Sequence, residues 1–295
     1  MKNESKLQEL KARVEEGVKL RWGTPSEEVT ARIKEELAVI ETVDCVDYFL
    51  MAAGLVDAIR SAGGLVGPGR GTCGSSAVCY ALRISGVDPI KHGLLFERFL
   101  HRGLKHPRPI LIDVDDIGEK TGKAYLAERY VCTYEKREHR IMPQFVQIGG
   151  YGEIGLTRIF ELDRMAEVLR KMRSGENGAD ILDELTDDCS PCAVGCGVLQ
   201  YEEDVVLAGQ KEAKLGVVES DAFRKAICMR LRDKAEKYKP LFSEDRWNEL
   251  WNAGINLRMK AHCVCETRLY AMMAYFNPTF YVRLDGELFS RRNAA

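Results

Sequence analysis

The chain predicts an α+β fold, with a small sheet in its first half and a mainly helical second half. Three observations carry this. Ile110 to Val114, Gln144 to Ile148 and Leu156 to Leu162 read as short strands rich in β-branched and aromatic residues. Residues 4–21 place Leu7, Leu10, Val14 and Val18 at helical spacing among charges. Beyond Met165 the reading is mostly helical to Tyr281, broken at Ser174-Gly175-Glu176-Asn177-Gly178, the main candidate boundary.

Each element follows from local chemistry. Thr24-Pro25-Ser26-Glu27 is a capping-box pattern with Pro at the first helical position, opening a helix through about Thr42. A second helix runs from Tyr48 to about Ser61 and stops at Ala62-Gly63-Gly64. Leu65-Val66 is a short strand, a glycine loop follows, and a helix starts at Ser76. Residues 93–100 read as helix-like, Ile110 to Val114 as strand, and Lys120 to Tyr134 as helix. Gly149-Gly150-Tyr151-Gly152 separates the last two strands.

At 295 residues the chain can bury a good core, as one domain or two subdomains. A net charge of −2 excludes a globally basic nucleic-acid binder but not a local basic groove. Arg98, His101, Arg102, Lys105, His106 and Arg108 form one such cluster, readable as a groove or as a solvated charged loop. No apolar run reaches the length of a membrane span, and the first residues lack a signal-peptide core. The ten cysteines show no extracellular framework, so a reduced, cytoplasmic setting is expected.

The chemistry concentrates in Val66-Gly67-Pro68-Gly69-Arg70-Gly71-Thr72-Cys73-Gly74-Ser75-Ser76 and, downstream, Ile112-Asp113-Val114-Asp115. Glycines let backbone N–H groups approach an anion, and the following helix adds a positive dipole end. Asp113 and Asp115, two apart on a strand, face one side and can share metals. Together they suit phosphoryl or nucleotidyl transfer. Taken singly, the loop is also readable as a tight turn, and the acidic pair as a solvated strand end.

Val66 through Leu100 resembles the palm of bacterial DNA polymerase III alpha subunits, the family C replicative polymerases. The matching residues are Val66 to Gly71, Ser75-Ser76, Ile84-Ser85-Gly86-Val87-Asp88-Pro89, and Leu94-Leu95-Phe96-Glu97-Arg98-Phe99-Leu100. Upstream, Ile33 to Ile40 and Tyr48-Phe49-Leu50 also fit. Pro109 to Asp116 is similar to that family's Pro-Asp-x-Asp-x-Asp strand, one residue longer and without its first Asp. The resemblance implies that Asp113 and Asp115 are two of three metal carboxylates. Gly155-Leu156-Thr157-Arg158-Ile159-Phe160-Glu161-Leu162 resembles the strand carrying the third, with Phe160 where Asp is expected. Glu161, one residue on, is the candidate, and Asp163 the next option. Arg158 replaces a Lys that would contact triphosphate.

Tyr201-Glu202-Glu203-Asp204-Val205 through Asp221-Ala222-Phe223-Arg224-Lys225-Ala226 resembles the fingers segment, and Lys260-Ala261-His262 a later Asn-Lys-Ser-His element. What the resemblance implies can be stated residue by residue. Arg70, Gly71, Thr72 and Ser76 cradle phosphates, and Arg98 orients substrate. Arg224, Lys225, Lys260 and His262 face the triphosphate. The implied fold is a small mixed sheet of the polymerase beta-like nucleotidyltransferase type. Residues 1–64 form a helical approach, 65–172 the palm, and 173–295 a fingers-like region. The implied activity is addition of dNTPs to a primer 3′-hydroxyl on primer–template DNA, with two Mg²⁺ ions held by Asp113, Asp115 and Glu161. The family's phosphoesterase-like, thumb, clamp-binding and OB modules have no counterpart in the sequence. Accessory replication proteins or a separate chain would then supply thumb and clamp contacts. The alternatives are a template-independent nucleotidyltransferase and an inactive nucleotide- or DNA-binding scaffold subunit. No membrane partner is expected.

Cys189-x2-Cys192-x3-Cys196 lies outside that resemblance. With Cys263 and Cys265, Cys189 and Cys192 could form a four-thiolate zinc site, or these thiols could be small buried hydrophobes.

Overall fold

A computed structural model of the chain describes residues 2–104, 107–130, 132–135, 144–148, 152–160, 199–265, 268–269, 282–284 and 287–289. Helices α1 (Lys2–Trp22), α2 (Glu27–Thr42) and α3 (Val46–Ser61) lead the chain. In α3 the apolar residues are so dense that Tyr48, Phe49, Met51, Ala52, Leu55, Val56 and Ile59 are all buried. It forms the centre of a core that also takes Leu10 and Val14 of α1, Ile40 of α2 and the apolar residues of the first strand. Tyr48 fixes that strand's start, its phenolic oxygen accepting the Ile110 N–H at 3.0 Å.

The cap of α2 is Ser26, whose Oγ accepts the Val29 N–H at 3.2 Å. Ser26 is extended, so the helix begins at Glu27 and Pro25 stands outside it, not at the first helical position. After the loop, a 3₁₀ turn at Gly71–Ser75 runs into the short α4 (Ala77–Ala81). The helix expected over residues 93–100 is only a 3₁₀ turn at Phe96–Arg98, because Leu95 is extended and the Leu94 carbonyl is taken by Arg32 at 2.9 Å.

Strand β1 (Ile110–Asp115) passes directly into α5 (Asp116–Arg129), capped by Asp115. Tyr130 turns extended, and β2 (Cys132–Glu135) occupies the end of the stretch expected to be helical. Thr133 and Tyr134 suit a pleated surface, and pairing with β3 (Gln144–Ile148) satisfies their backbone. β4 (Gly152–Phe160) starts earlier than expected and completes a four-stranded sheet in the order β1-β4-β3-β2. β1 and β4 run parallel, and the other pairs are antiparallel. The described fold is therefore mixed and mainly helical, with this sheet beside the first core.

The helices α6 (Glu202–Lys211), α7 (Val217–Cys228), α8 (Arg232–Ala235) and α9 (Glu244–Gly254) build a second core around Phe223, Ile227, Trp247 and Leu250. β5 (Val282–Leu284) and β6 (Glu287–Phe289) pair as a separate hairpin. The expected break at 174–178 lies outside the described residues. The helical residues 260–265 return to the first half, where Ala261, Val264 and Cys265 close a small cluster with Val87 and Leu94. Among the described residues no helix is long and apolar enough to cross a membrane.

Gly74 permits this return. A Cβ there would lie 2.6 Å from Cys265 Sγ. Gly74→Ala is expected to cost about 1–3 kcal/mol by overpacking. Adding Cys265→Ala should recover part of that loss, which a thermal or urea double-mutant cycle measures; strictly additive costs would rule out this contact as the cause.

Candidate active site

The glycine loop does not stand off from the acidic strand; it lies along it. Val66 bridges Val114 and Arg70 bridges Leu111, both antiparallel, on the edge of β1 opposite β4. Gly67 N–H donates to the Asp113 carbonyl at 2.8 Å, and Arg70 N–H to the Leu111 carbonyl at 3.2 Å. Gly69 and Gly71 flank Arg70 with φ of +81° and +74°, a region open to glycine. A Cβ on Gly67 would meet the Asp113 Cβ at 3.0 Å, so the approach needs glycine there too. The result aims the Arg70 side chain at Asp113, with Nε donating to Oδ1 at 2.8 Å. Asp113 is wholly buried and Arg70 nearly so.

Asp115 is held differently. Its Oδ1 accepts the N–H groups of Leu65 at 3.0 Å and Gly118 at 2.7 Å. It is thus the cap of α5, with Oδ2 outside both of those bonds. A register shift between Val114 and Asp115 interrupts the simple alternation that two residues on a regular strand would show. β4 runs parallel to β1 and sets Phe160 opposite Asp115 and Arg158 opposite Val114. Glu161 follows directly in the chain but lies outside the described residues, as does Asp163. Among the described residues no three carboxylate, histidine or cysteine groups gather as a metal site.

The exit of the loop differs from the sequence expectation. Ser76, expected to contact phosphate, caps α4 and donates from Oγ to Glu36 Oε2 at 2.7 Å. Glu36 also accepts the N–H groups of Ala77 at 2.9 Å and Val78 at 3.0 Å. A protein carboxylate therefore occupies the helix start that was expected to receive an anion, for the same dipolar reason. Burial pushes the Glu36 carboxyl up, opposed by Arg32 and these donors. Gly71 and Thr72 lie in the buried 3₁₀ turn. Burial likewise raises the Cys73 thiol to about 11.

Arg98 and Arg224, expected at substrate, are engaged by carboxylates. Arg98 donates to Asp221 Oδ1 and Glu202 Oε2, both at 2.7 Å, with its Nε 3.5 Å from Glu203. Arg224 shares the same two acceptors, at 3.0 Å and 2.6 Å, and Arg108 reaches Asp221 at 3.1 Å. Three guanidinium groups and three carboxylates thus join the two cores. The basic cluster read from sequence is divided: Arg98 and Arg108 enter this network, Arg102 is exposed, and Lys105 and His106 lie outside the described residues.

Lys225 is exposed on α7. The Lys260 N–H binds Glu203 Oε2 at 2.8 Å, and its Nζ sits 5.9 Å from the Tyr201 ring centre. His262 is half-buried. Cys263 and Cys265 are buried, and Cys265 packs on the 3₁₀ turn in an apolar cluster. Cys189 and Cys192 lie outside the described residues, and nothing within them supports the zinc site. Arg32 and Glu36 carried no site role in the sequence, although Glu36 lies in the Ile33 to Ile40 stretch of the resemblance; a helical i, i+4 ion pair with its acid on the apolar face was a second signal.

Residues 8–140 match the family model described as the bacterial DNA polymerase III alpha NTPase domain. DNA polymerase III subunit alpha of Streptococcus pyogenes serotype M3 (strain ATCC BAA-595 / MGAS315) is 39% identical over 129 residues, 44% of this chain and 12% of that protein. The Bacillus subtilis (strain 168) DNA polymerase III subunit alpha is 39% identical over 115 residues, 39% of this chain and 10% of that protein. An error-prone DNA polymerase of Anaeromyxobacter sp. (strain K) is 36% identical over 122 residues, 41% of this chain and 11% of that protein. The chain's matched segment thus spans at most 12% of the length of these relatives.

The ion network predicts an acid-labile junction. Burial raises the Asp221 carboxyl, but Arg224, Arg108 and Arg98 outweigh it and leave it below the ordinary 3.8. Its stabilisation is therefore present above 3.8 and lost as pH falls through the lowered value. Glu203 is shifted the other way, above 4.5 by burial, so its protonation favours the fold and adds no loss at milder acidity. Melting curves should show Asp221→Asn less stable than wild type near neutrality, the two converging below 3.8. Arg98→Met takes the guanidinium away from buried Glu203, while Asp221 keeps Arg224 and Arg108 and Glu202 keeps Arg224, and should cost about 3–5 kcal/mol in the same melting curves.

Proposed function

We propose, from the match of residues 8–140 to the bacterial DNA polymerase III alpha NTPase domain, that the chain carries a nucleotidyl-transfer site adding dNTPs to the 3′-hydroxyl of a primer. The observation that carries the reading is the glycine loop pinned along the acidic strand, with Arg70 on Asp113 inside the matched segment. In this reading the four-stranded sheet is a palm of the polymerase beta-like type, and the helical second half is a fingers region. Primer–template DNA is the partner.

The donor set fits a hard divalent cation. Asp113 and Asp115 supply oxygen ligands from one strand, and the parallel neighbour β4 ends level with Asp115 just before Glu161. Asp113, Asp115 and Glu161 would hold Mg²⁺, which when bound lowers the pKa of the attacking hydroxyl and neutralises charge on the leaving pyrophosphate. Arg70 orients Asp113 by its hydrogen bond to Oδ1. The Leu65 and Gly118 N–H groups hold Asp115 by Oδ1, so that Oδ2 is the oxygen offered to a cation. Arg158, Lys225, Lys260 and His262 are the proposed contacts to the triphosphate.

A second reading, a nucleotide- or DNA-binding subunit without catalysis, is favoured by the pairing of Arg98 and Arg224 with Glu202 and Asp221. Primer extension with Mg²⁺ and dNTPs separates the two. Removing a carboxylate ligand forfeits several kcal/mol of charge stabilisation, so Asp113→Asn should lower extension by at least about a thousandfold. Extension that is equal in wild type and variant defeats the catalytic reading. Binding without turnover in wild type supports the second.

A further inference from the structure

Glu36 and Arg32 sit on α2, away from the acidic strand, yet their contacts reach the loop that holds Asp113. Glu36 is wholly buried and takes four hydrogen bonds: from Arg32 Nε at 2.7 Å, Ser76 Oγ at 2.7 Å, and the N–H groups of Ala77 at 2.9 Å and Val78 at 3.0 Å. Arg32 Nη2 then donates to the carbonyls of Ser75 and Leu94, both at 2.9 Å. One ion pair thus ties three segments together: α2, the exit of the glycine loop, and the approach to Phe96–Arg98.

From Ser76 the constraint runs back along a stiff path. The Ser76 N–H donates to the Cys73 carbonyl at 3.1 Å, and Cys73 Sγ donates to the Arg70 carbonyl at 3.1 Å. All five residues of the intervening 3₁₀ turn are buried, so the turn has little room to move independently. At its far end Arg70 meets Asp113.

We propose that Glu36, with Arg32, is a positioning pair for the metal carboxylate: it holds the glycine loop's exit so that Arg70 presents Asp113 to a divalent cation. This rests on the nucleotidyl-transfer reading above. Glu36 touches no substrate in this scheme and acts only through the loop. Its four bonds explain why a carboxyl group stands in the core: a buried acid is tolerated when its oxygens are met by donors. Glutamine at this position brings an NH₂ group against N–H and O–H donors and breaks at least one of those bonds.

The test is divalent-cation binding to the full chain, followed by titration calorimetry with Mg²⁺ and by the paramagnetic signal of Mn²⁺, at a temperature where circular dichroism shows each variant folded. Glu36→Gln should bind the cation roughly 10–100-fold more weakly, as loss of an orienting partner behind a metal ligand does. Asp113→Asn should abolish the same binding. Ser76→Ala removes one of the four bonds without stranding a charge; it should weaken binding by a smaller factor and covers the case in which Glu36→Gln does not fold. A merely structural Glu36 would lower the melting temperature and leave cation affinity in folded protein unchanged. Wild-type affinity in Glu36→Gln, or in Ser76→Ala if the first does not fold, overturns the proposal while Asp113-dependent binding stands. Absence of Asp113-dependent binding in wild type overturns the metal-site reading itself, and the proposal with it.

Discussion

Arg70 reaches Asp113 across 43 positions of sequence, and the shape of the candidate site follows from that contact. A loop containing three glycines in five residues has little conformational preference of its own. It becomes a defined strand-edge segment because Asp113, wholly buried, requires a counter-charge and donors. The pair therefore works in both directions. The carboxylate orders the loop, and the loop's cation makes a charged strand residue tolerable in the core.

The same need is met in three other ways nearby. Asp115 is satisfied by two backbone N–H groups and becomes a helix cap. Glu36 is satisfied by an arginine, a hydroxyl and two N–H groups, and so becomes a strut between segments. Glu202, Glu203 and Asp221 meet Arg98, Arg108 and Arg224 and fasten the second core to the first. Among the described residues these buried carboxylates thus each meet specific donors. Pairing of this kind specifies a docking geometry more surely than it adds stability.

Much of this was legible locally. The helical spacing of Leu7, Leu10 and Val14 and the apolar density of residues 48–59 marked the first helices. The β-branched residues around Asp113 marked β1, and the glycines marked a sharp loop, which the structure realises with positive φ at Gly69 and Gly71. Boundaries were harder where local signals competed. Ser26 prevailed over Thr24 as a cap because its own backbone is extended and its hydroxyl reaches Val29. Tyr134 left a helical pattern for a strand once β3 offered a partner.

Sequence by itself determined the chemical inventory and its order: a glycine loop with one arginine, an acidic pair on a strand, and a mainly helical second half. Periodicity and turn chemistry act over a few residues, and those features live on that scale. Tertiary structure decided which charge meets which. Arg98 finds Asp221 at a separation of 123 positions, and Ser76 turns toward Glu36 at a separation of 40. Such pairings depend on how helices pack around α3 and on which carboxylates that packing removes from water. No spacing rule encodes this, because the cost of burying a charge exists only once the core has formed.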